Sequence, residues 1–146
     1  MNNYVLLNIP KRSLKKLGRK IVLEQTQKYD NLSKYQIINK YLYLTSIKKI
    51  PNEEYNLNDA ELCDANKDLI YQKIKKILPK ETKNKTFAIS VERKGEHKFT
   101  STELARELAG SVFDIYPDIS VDLDKPNLTI HIKVLSNKCL IYTEQK

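Results

Sequence analysis

The residue types that usually carry catalysis or hold a cofactor are sparse among these 146 residues. Gly18, Gly95 and Gly110 stand far apart. Neither G-x-G-x-x-G nor G-x-x-x-x-G-K-[ST] can be written, which excludes phosphate-cradling loops of those kinds. His97 and His131 form no H-E-x-x-H pair, and Cys63 and Cys139 form no C-x-x-C knuckle, so no metal site is expected. In a reducing compartment the two cysteines are expected to be plain thiols rather than a disulfide. His131 is expected to pack within a strand, and Asp122 to anchor a loop rather than to do acid–base work. The expectation is no catalytic residue, no metal and no cofactor.

What remains is cationic chemistry. The net charge is +8, and its distribution is uneven. Residues 1–50 hold eleven Lys/Arg against only Glu24 and Asp30, a local surplus of +9, whereas 51–80 carry −1 and 81–146 balance to zero. A localised basic face points to a polyanion, and nucleic acid is the usual one. The chain is rich in Lys, Asn, Ile and Tyr. An A/T-rich coding sequence alone produces that bias, and then a lysine face is merely solvated. The four arginines, Arg12, Arg19, Arg93 and Arg106, resist the bias and weigh more, because a guanidinium fork grips phosphate and stacks on bases. The phosphate-facing candidates in the first half are Lys11, Arg12, Lys15, Lys16 and Arg19. In the second half Arg93 and Lys94 end a strand beside Gly95, where the backbone can turn towards a phosphate, and His97 and Lys98 share that loop.

The elements that must position these groups are legible in the periodicity. Tyr4 to Ile9 reads as a strand stopped by Pro10. Leu14, Leu17, Ile21 and Tyr29 recur near helical spacing, which places a helix over about 12–28 with Gly18 as a mild weakness within it. Tyr35–Ile38 and Tyr41–Leu44 form a hairpin across Asn39-Lys40. Pro51 to Asn58 is polar and reads as a loop. Leu69, Ile70, Ile74, Ile77 and Leu78 mark a helix stopped by Pro79. Residues 80–85 are polar and follow a proline, so the boundary is placed there, giving domains 1–80 and 81–146. Thr86–Arg93 alternates as a strand. Thr100-Ser101-Thr102-Glu103 is a capping box opening a helix that ends before Pro117. Leu128–Val134 and Cys139–Tyr142 close a hairpin across Ser136-Asn137. Each half therefore reads as α+β, strands with helices on one side.

Length and hydropathy bound the class. A chain of this size buries roughly 70% of its unfolded surface, whereas half of it alone would be marginal. Hydrophobic residues make up 40%, which excludes a disordered tail. No apolar run approaches the ~18 residues a bilayer span needs, and Met1-Asn2-Asn3-Tyr4 lacks a secretion-signal layout. The expectation is a cytoplasmic protein without a membrane partner.

From Thr86 to Tyr142 the sequence resembles the THUMP domain, an RNA-binding module of tRNA-modifying proteins. The blocks that carry the resemblance are T-F-A-I-S-V-E-R-K-G-E-H-K-F, S-T-E-L-A-R-E-L, V-D-L-D-K-P-N-L-T-I-H-I-K-V and L-I-Y, in that order. Two departures stand out: the family's R-x-[IL]-G is Arg106-Glu107-Leu108-Ala109-Gly110, displaced by one, and its P-D is Pro126-Asn127. The first half is similar to the ferredoxin-like domain that precedes this module in 4-thiouridine synthetases and in the adaptor of tRNA acetylation. The resemblance implies a ferredoxin-like domain packed against a THUMP α/β domain. It also implies RNA contacts at Arg106, which follows the capped helix start, and at Lys125 and Asn127, beside the turn-shaping Pro126.

The function so implied is non-catalytic. The chain would capture the acceptor stem and 3′ tail of tRNA and present it to a separate modification enzyme, such as the RNA cytidine acetyltransferase. Two alternatives stay open. One is the RNA-capture portion of a split or truncated 4-thiouridine synthetase or tRNA methyltransferase, and the other is a regulatory or oligomerising α+β domain without RNA.

Overall fold

A computed structural model of the chain describes residues 2–7, 9–28, 33–50 and 55–145. By packing the chain divides into two units, Met1–Ala60 and Glu61–Lys146. Composition had suggested a boundary at 80/81. The packing boundary comes earlier because the helix between those two points shares its core with the second unit.

In the first unit, strand β1 (Asn2–Leu6) leads through a 3-10 turn at Lys11–Ser13 into helix α1 (Leu14–Lys28). Strands β2 (Lys34–Ile38) and β3 (Tyr41–Ser46) follow, and β4 (Asn58–Asp64) begins here. The order β2-β3-β1-β4 is antiparallel throughout, so β1 and β2 are parallel strands split by β3, the arrangement of a ferredoxin-like β-α-β. The β2–β3 connection is the two-residue turn expected at Asn39-Lys40, and Asn39 adopts φ 54° there. Tyr29 and the Pro51–Glu54 part of the expected loop lie outside the described residues, as does Asn8 of the first expected strand. Strand β4 was not expected. Its sequence, N-D-A-E-L-C-D, is poor in the β-branched and aromatic residues that announce a strand.

Helix α1 buries Leu14, Gly18, Ile21 and Gln25 in one stripe against the sheet. Its core partners include Tyr4, Leu6, Leu42 and Leu44. Gly18 is no simple weakness in this helix. A Cβ there would lie 2.6 Å from Tyr35 Cδ2 and 3.0 Å from Leu42 Cδ1, so the missing side chain is what lets helix and sheet approach. Tyr41 and Tyr43 are both buried in the sheet rather than displayed on it.

In the second unit helix α2 (Lys67–Ile77) is followed by β5 (Thr86–Lys94), α3 (Ser101–Ile115), the short edge strand β6 (Ser120–Val121), β7 (Leu128–Leu135) and β8 (Lys138–Gln145). The strand order is β8-β7-β5-β6, with β5 parallel to both β6 and β7 and β8 antiparallel to β7. Asn66 caps α2 by accepting from Leu69 N at 3.1 Å. The expected capping box starts α3: Glu103 N donates to Thr100 Oγ1 at 3.1 Å, and Thr100 N to the Glu103 carboxylate at 3.4 Å. Ile70 and Ile74 of α2 join Leu104, Leu108 and Val112 of α3 in a core over Phe87, Leu128, Ile130 and Ile132. Tyr71 of α2 donates to Asp114 of α3 at 2.6 Å, beside Gly110. These contacts are why α2 belongs with the second unit.

Candidate nucleic-acid interface

In the first unit six of the eleven cations follow one another along the 3-10 turn and α1, while Lys34, Lys40, Lys48 and Lys49 lie elsewhere. Lys11 and Arg12 occupy the 3-10 turn, and Lys15, Lys16, Arg19 and Lys20 continue along α1, all exposed. At about 100° per residue these six fall on one half of the helix, away from the buried Leu14–Gly18–Ile21–Gln25 stripe. Among the described residues none of the six makes an ion pair. The first turn of α1 has no acidic residue, and the helix as a whole carries only Glu24. Cations at the positive end of a helix macrodipole cost roughly 0.3–1 kcal/mol each, and a bound anion reverses that penalty.

The second unit builds a different arrangement. Arg93, next to last in β5, reaches across to the first turn of α3, where its Nε donates to Ser101 Oγ at 3.3 Å. Its Nη1 lies 3.3 Å from His97 Nδ1, while His97 Nε2 lies 2.9 Å from the Ser136 carbonyl. A carbonyl only accepts, so Nε2 carries a proton and Nδ1 is left to accept from the guanidinium. Gly95, at φ 103°, makes the turn between Arg93 and His97 possible. The His97 ring stacks on Phe99 with centroids 5.3 Å apart and 21° between planes. Lys67 Nζ sits 5.6 Å from the Phe99 centroid and pairs with Glu107 at 3.0 Å. His97, Phe99 and Ser136 line one open cavity of about 930 Å³, whose charged lining is balanced, Lys67 and Lys98 against Asp64 and Glu96. Lys94 and Lys98 are exposed beside it.

Arg106 is exposed on α3, one turn after Glu103. Pairing between the two is the ordinary fate of such neighbours, but the Glu103 carboxylate is turned back to Thr100 N. Among the described residues Arg106 makes no ion pair.

Lys125 and Asn127 do not join this group. β5 and β7 run parallel from Phe87–Leu128 to Lys94–Leu135, so Asn127 lies at the end of the sheet opposite Arg93, about 23 Å away along the strands. The Asn127 side chain is already engaged: its Oδ1 accepts from the Thr86 hydroxyl at 3.0 Å, and its backbone N donates to Thr86 Oγ1 at 2.9 Å. Asp122 anchors the same loop by accepting from Asp124 N and Lys125 N. Residue types alone did not reveal the groups that hold Arg93 and His97, namely Ser101, Phe99 and Ser136. The S-T-E run after Thr100 was the one available signal.

His131, Cys63, Cys139 and Glu61 are engaged within the fold. His131 stacks on Tyr142 at 4.7 Å, and burial pushes its pKa down despite Glu144 Oε1 at 3.3 Å, a carboxylate that makes no aligned hydrogen bond to the ring. Cys63 and Cys139 are free thiols that lie together. Hydrogen bonding to Cys63 and deep burial hold the Cys139 thiol protonated, and its donation lowers the pKa of Cys63. Glu61 is buried and held by Lys76 at 2.8 Å. Among the described residues no cluster of three His, Cys, Asp or Glu side chains is arranged to hold a metal ion, and no helix is long and apolar enough to cross a membrane.

This arrangement has relatives. The tRNA sulfurtransferase of Vibrio vulnificus strain YJ016 is 38% identical over 74 residues, which cover 49% of this chain and 15% of that protein. The tRNA sulfurtransferase of Histophilus somni strain 129Pt is 26% identical over 113 residues, 77% of this chain and 23% of the relative. The chain thus spans less than a quarter of the length of either. Among solved structures, TrmN from Thermus thermophilus matches with a TM-score of 0.69 at 14% identity, over 100% of this chain and 46% of that one. A 4-thiouridine synthetase–RNA complex with bound ATP matches with a TM-score of 0.67 at 13% identity, over 99% and 41%. At those identities the match is one of fold. The THUMP domain profile matches residues 64–144, more than half of the chain, and it takes in α2, which the 81–146 boundary had left out. The chain belongs to the THUMP domain family.

Proposed function

We propose that this chain binds tRNA, capturing the acceptor stem and the single-stranded 3′ tail for a modification enzyme. The observation that carries the reading is the half-face of exposed cations from Lys11 to Lys20, which make no ion pair among the described residues. Such a face is held ready for phosphates supplied from outside. Family membership supports RNA as the source of those phosphates. The second unit contributes Arg93, Lys94, His97, Lys98 and the exposed Arg106. There the His97 ring, backed by the buried Phe99 and with the exposed Lys98 next to it, suits an unpaired base and the backbone of a tail. Lys125 and Asn127 serve the turn before β7. In this reading the chain positions RNA, and a separate enzyme does the chemistry in the cytoplasm.

A second reading has a specific observation behind it. The relatives in Vibrio and Histophilus are named tRNA sulfurtransferases, so the same capture can serve 4-thiouridine formation rather than acetylation or methylation. Affinity capture with the intact chain separates these readings by the class of enzyme retained.

The capture itself is tested by titrating whole tRNA at several salt concentrations. Binding should weaken with a log–log slope reflecting roughly four to seven released counterions. A flat salt response would favour a regulatory domain without RNA.

A further inference from the structure

One feature of the cationic helix is not needed for phosphate binding. Ser13, Lys16, Leu17 and Lys20 follow the i, i+3, i+4, i+7 spacing of a single helix face, and the Ile9-Pro10 segment crosses beside them. Together they enclose an open groove of about 410 Å³ with an apolar surface. A surface that only neutralised phosphates would need no such floor.

We infer that this groove takes a nucleobase, unstacked from a single-stranded stretch of the bound RNA, while Lys16 and Lys20 hold its flanking phosphates. The inference rests on the tRNA-binding reading and deepens it. The argument is one of complementarity. A nucleotide is a flat, weakly polar ring joined to an anion, and here an apolar floor of Ile9, Pro10 and Leu17 is flanked by two exposed lysines that make no ion pair among the described residues. A volume of 410 Å³ lies within the range of small-ligand sites and is ample for one base and its sugar. An apolar side chain of a protein partner would fit the floor but leave both lysines unanswered. A membrane surface would need a broad apolar helix face, and α1 exposes only Leu23 as a large hydrophobe. The groove sits at the margin of the cationic half-face, so a backbone tracking Lys11 to Arg19 would pass its mouth.

The test uses the whole chain and two probes of equal charge: single-stranded dA6, and the same six-unit strand with abasic sites throughout. Amide NMR spectra give the site, and titration gives the affinities. The dA6 strand should shift the Ser13 and Leu17 amides and bind about tenfold tighter than the abasic strand, which should leave those amides nearly unmoved. Ser13→Phe, which fills the groove from its rim, should abolish the Ser13–Leu17 response to dA6 while leaving abasic binding unchanged. Leu17→Gln, which makes the floor polar at similar size and adds no charge, should do the same. Identical shifts from both strands, or a Ser13→Phe variant that keeps the full dA6 response, would overturn the groove assignment. So would Ser13 and Leu17 amides that respond to anionic vesicles and not to dA6. Steep, salt-dependent tRNA binding with no base dependence at α1 would sink this inference alone. Failure to bind tRNA at all would sink the function it rests on.

Discussion

Arg93 at the end of β5 donates to Ser101 in the first turn of α3, so the guanidinium is held in place by its own fold before any ligand arrives. A fork fixed by Ser101 on one side and His97 on the other loses little freedom on binding phosphate. Arg106, on the same helix, has no such restraint.

The two arginines should therefore fail differently. Arg106→Ala is expected to weaken tRNA binding by about 1–2 kcal/mol and to leave the melting temperature unchanged. Arg93→Ala should cost as much affinity and also lower stability by about 1 kcal/mol, because Ser101 and His97 lose their partner. Titration and thermal melts of both variants check this. Unchanged tRNA affinity in both would place the RNA elsewhere.

Gly18 provides a test of packing against propensity. In an exposed helix Gly→Ala gains about 1 kcal/mol. Here the added methyl would meet Tyr35 at 2.6 Å, so Gly18→Ala should destabilise by about 1–3 kcal/mol instead. Urea unfolding followed by circular dichroism reads the sign directly, and a stabilised variant would show that the helix does not press on β2 and β3.

The turn before β7 should behave as scaffold. Thr86→Val removes the hydroxyl that both donates to and accepts from Asn127, and should cost about 1–2 kcal/mol of stability. The affinity of the folded variant for tRNA should stay within about twofold, given the distance of this turn from Arg93. A large loss of binding without a loss of stability would return Lys125 and Asn127 to the interface.

His131 makes stability depend on pH with a definite sign. Its folded-state pKa lies below the ordinary 6.5 because burial disfavours the charged ring. Between the two values the unfolded chain binds the extra proton, so stability is complete above pH 6.5 and falls as pH drops below it. Urea midpoints between pH 5 and 7.5 should show this slope in the wild type and a shallower one in His131→Phe. Equal slopes would mean the imidazole titrates normally in the fold.

Much of this is legible in the sequence. The capping box at Thr100 and Glu103, the Asn39-Lys40 and Ser136-Asn137 turns and the alternation of Leu128–Val134 are local signals, and local signals survive folding. Other features were hidden for physical reasons. β4 is built mostly from Asn, Asp, Ala and Glu, and only its neighbours make it a strand. The allegiance of α2 is set by Ile70 and Ile74 meeting α3, contacts made across the chain. At Gly18 the decisive fact is Tyr35, seventeen positions away, which no helix propensity records. Of the candidate site, the α1 cations recur within ten residues at helical spacing, so their shared face is legible in the sequence. That Arg93 and His97 are mutually fixed, and that Asn127 lies at the far end of the sheet, follows from the parallel pairing of β5 with β7, which leaves no trace in spacing.

The most direct measurement compares intact tRNA with the same tRNA lacking its 3′ tail, bound to the purified chain at one fixed ionic strength. If the chain captures the acceptor end by its single-stranded tail, trimming should weaken binding about tenfold or more. Equal affinity for both RNAs would contradict that account.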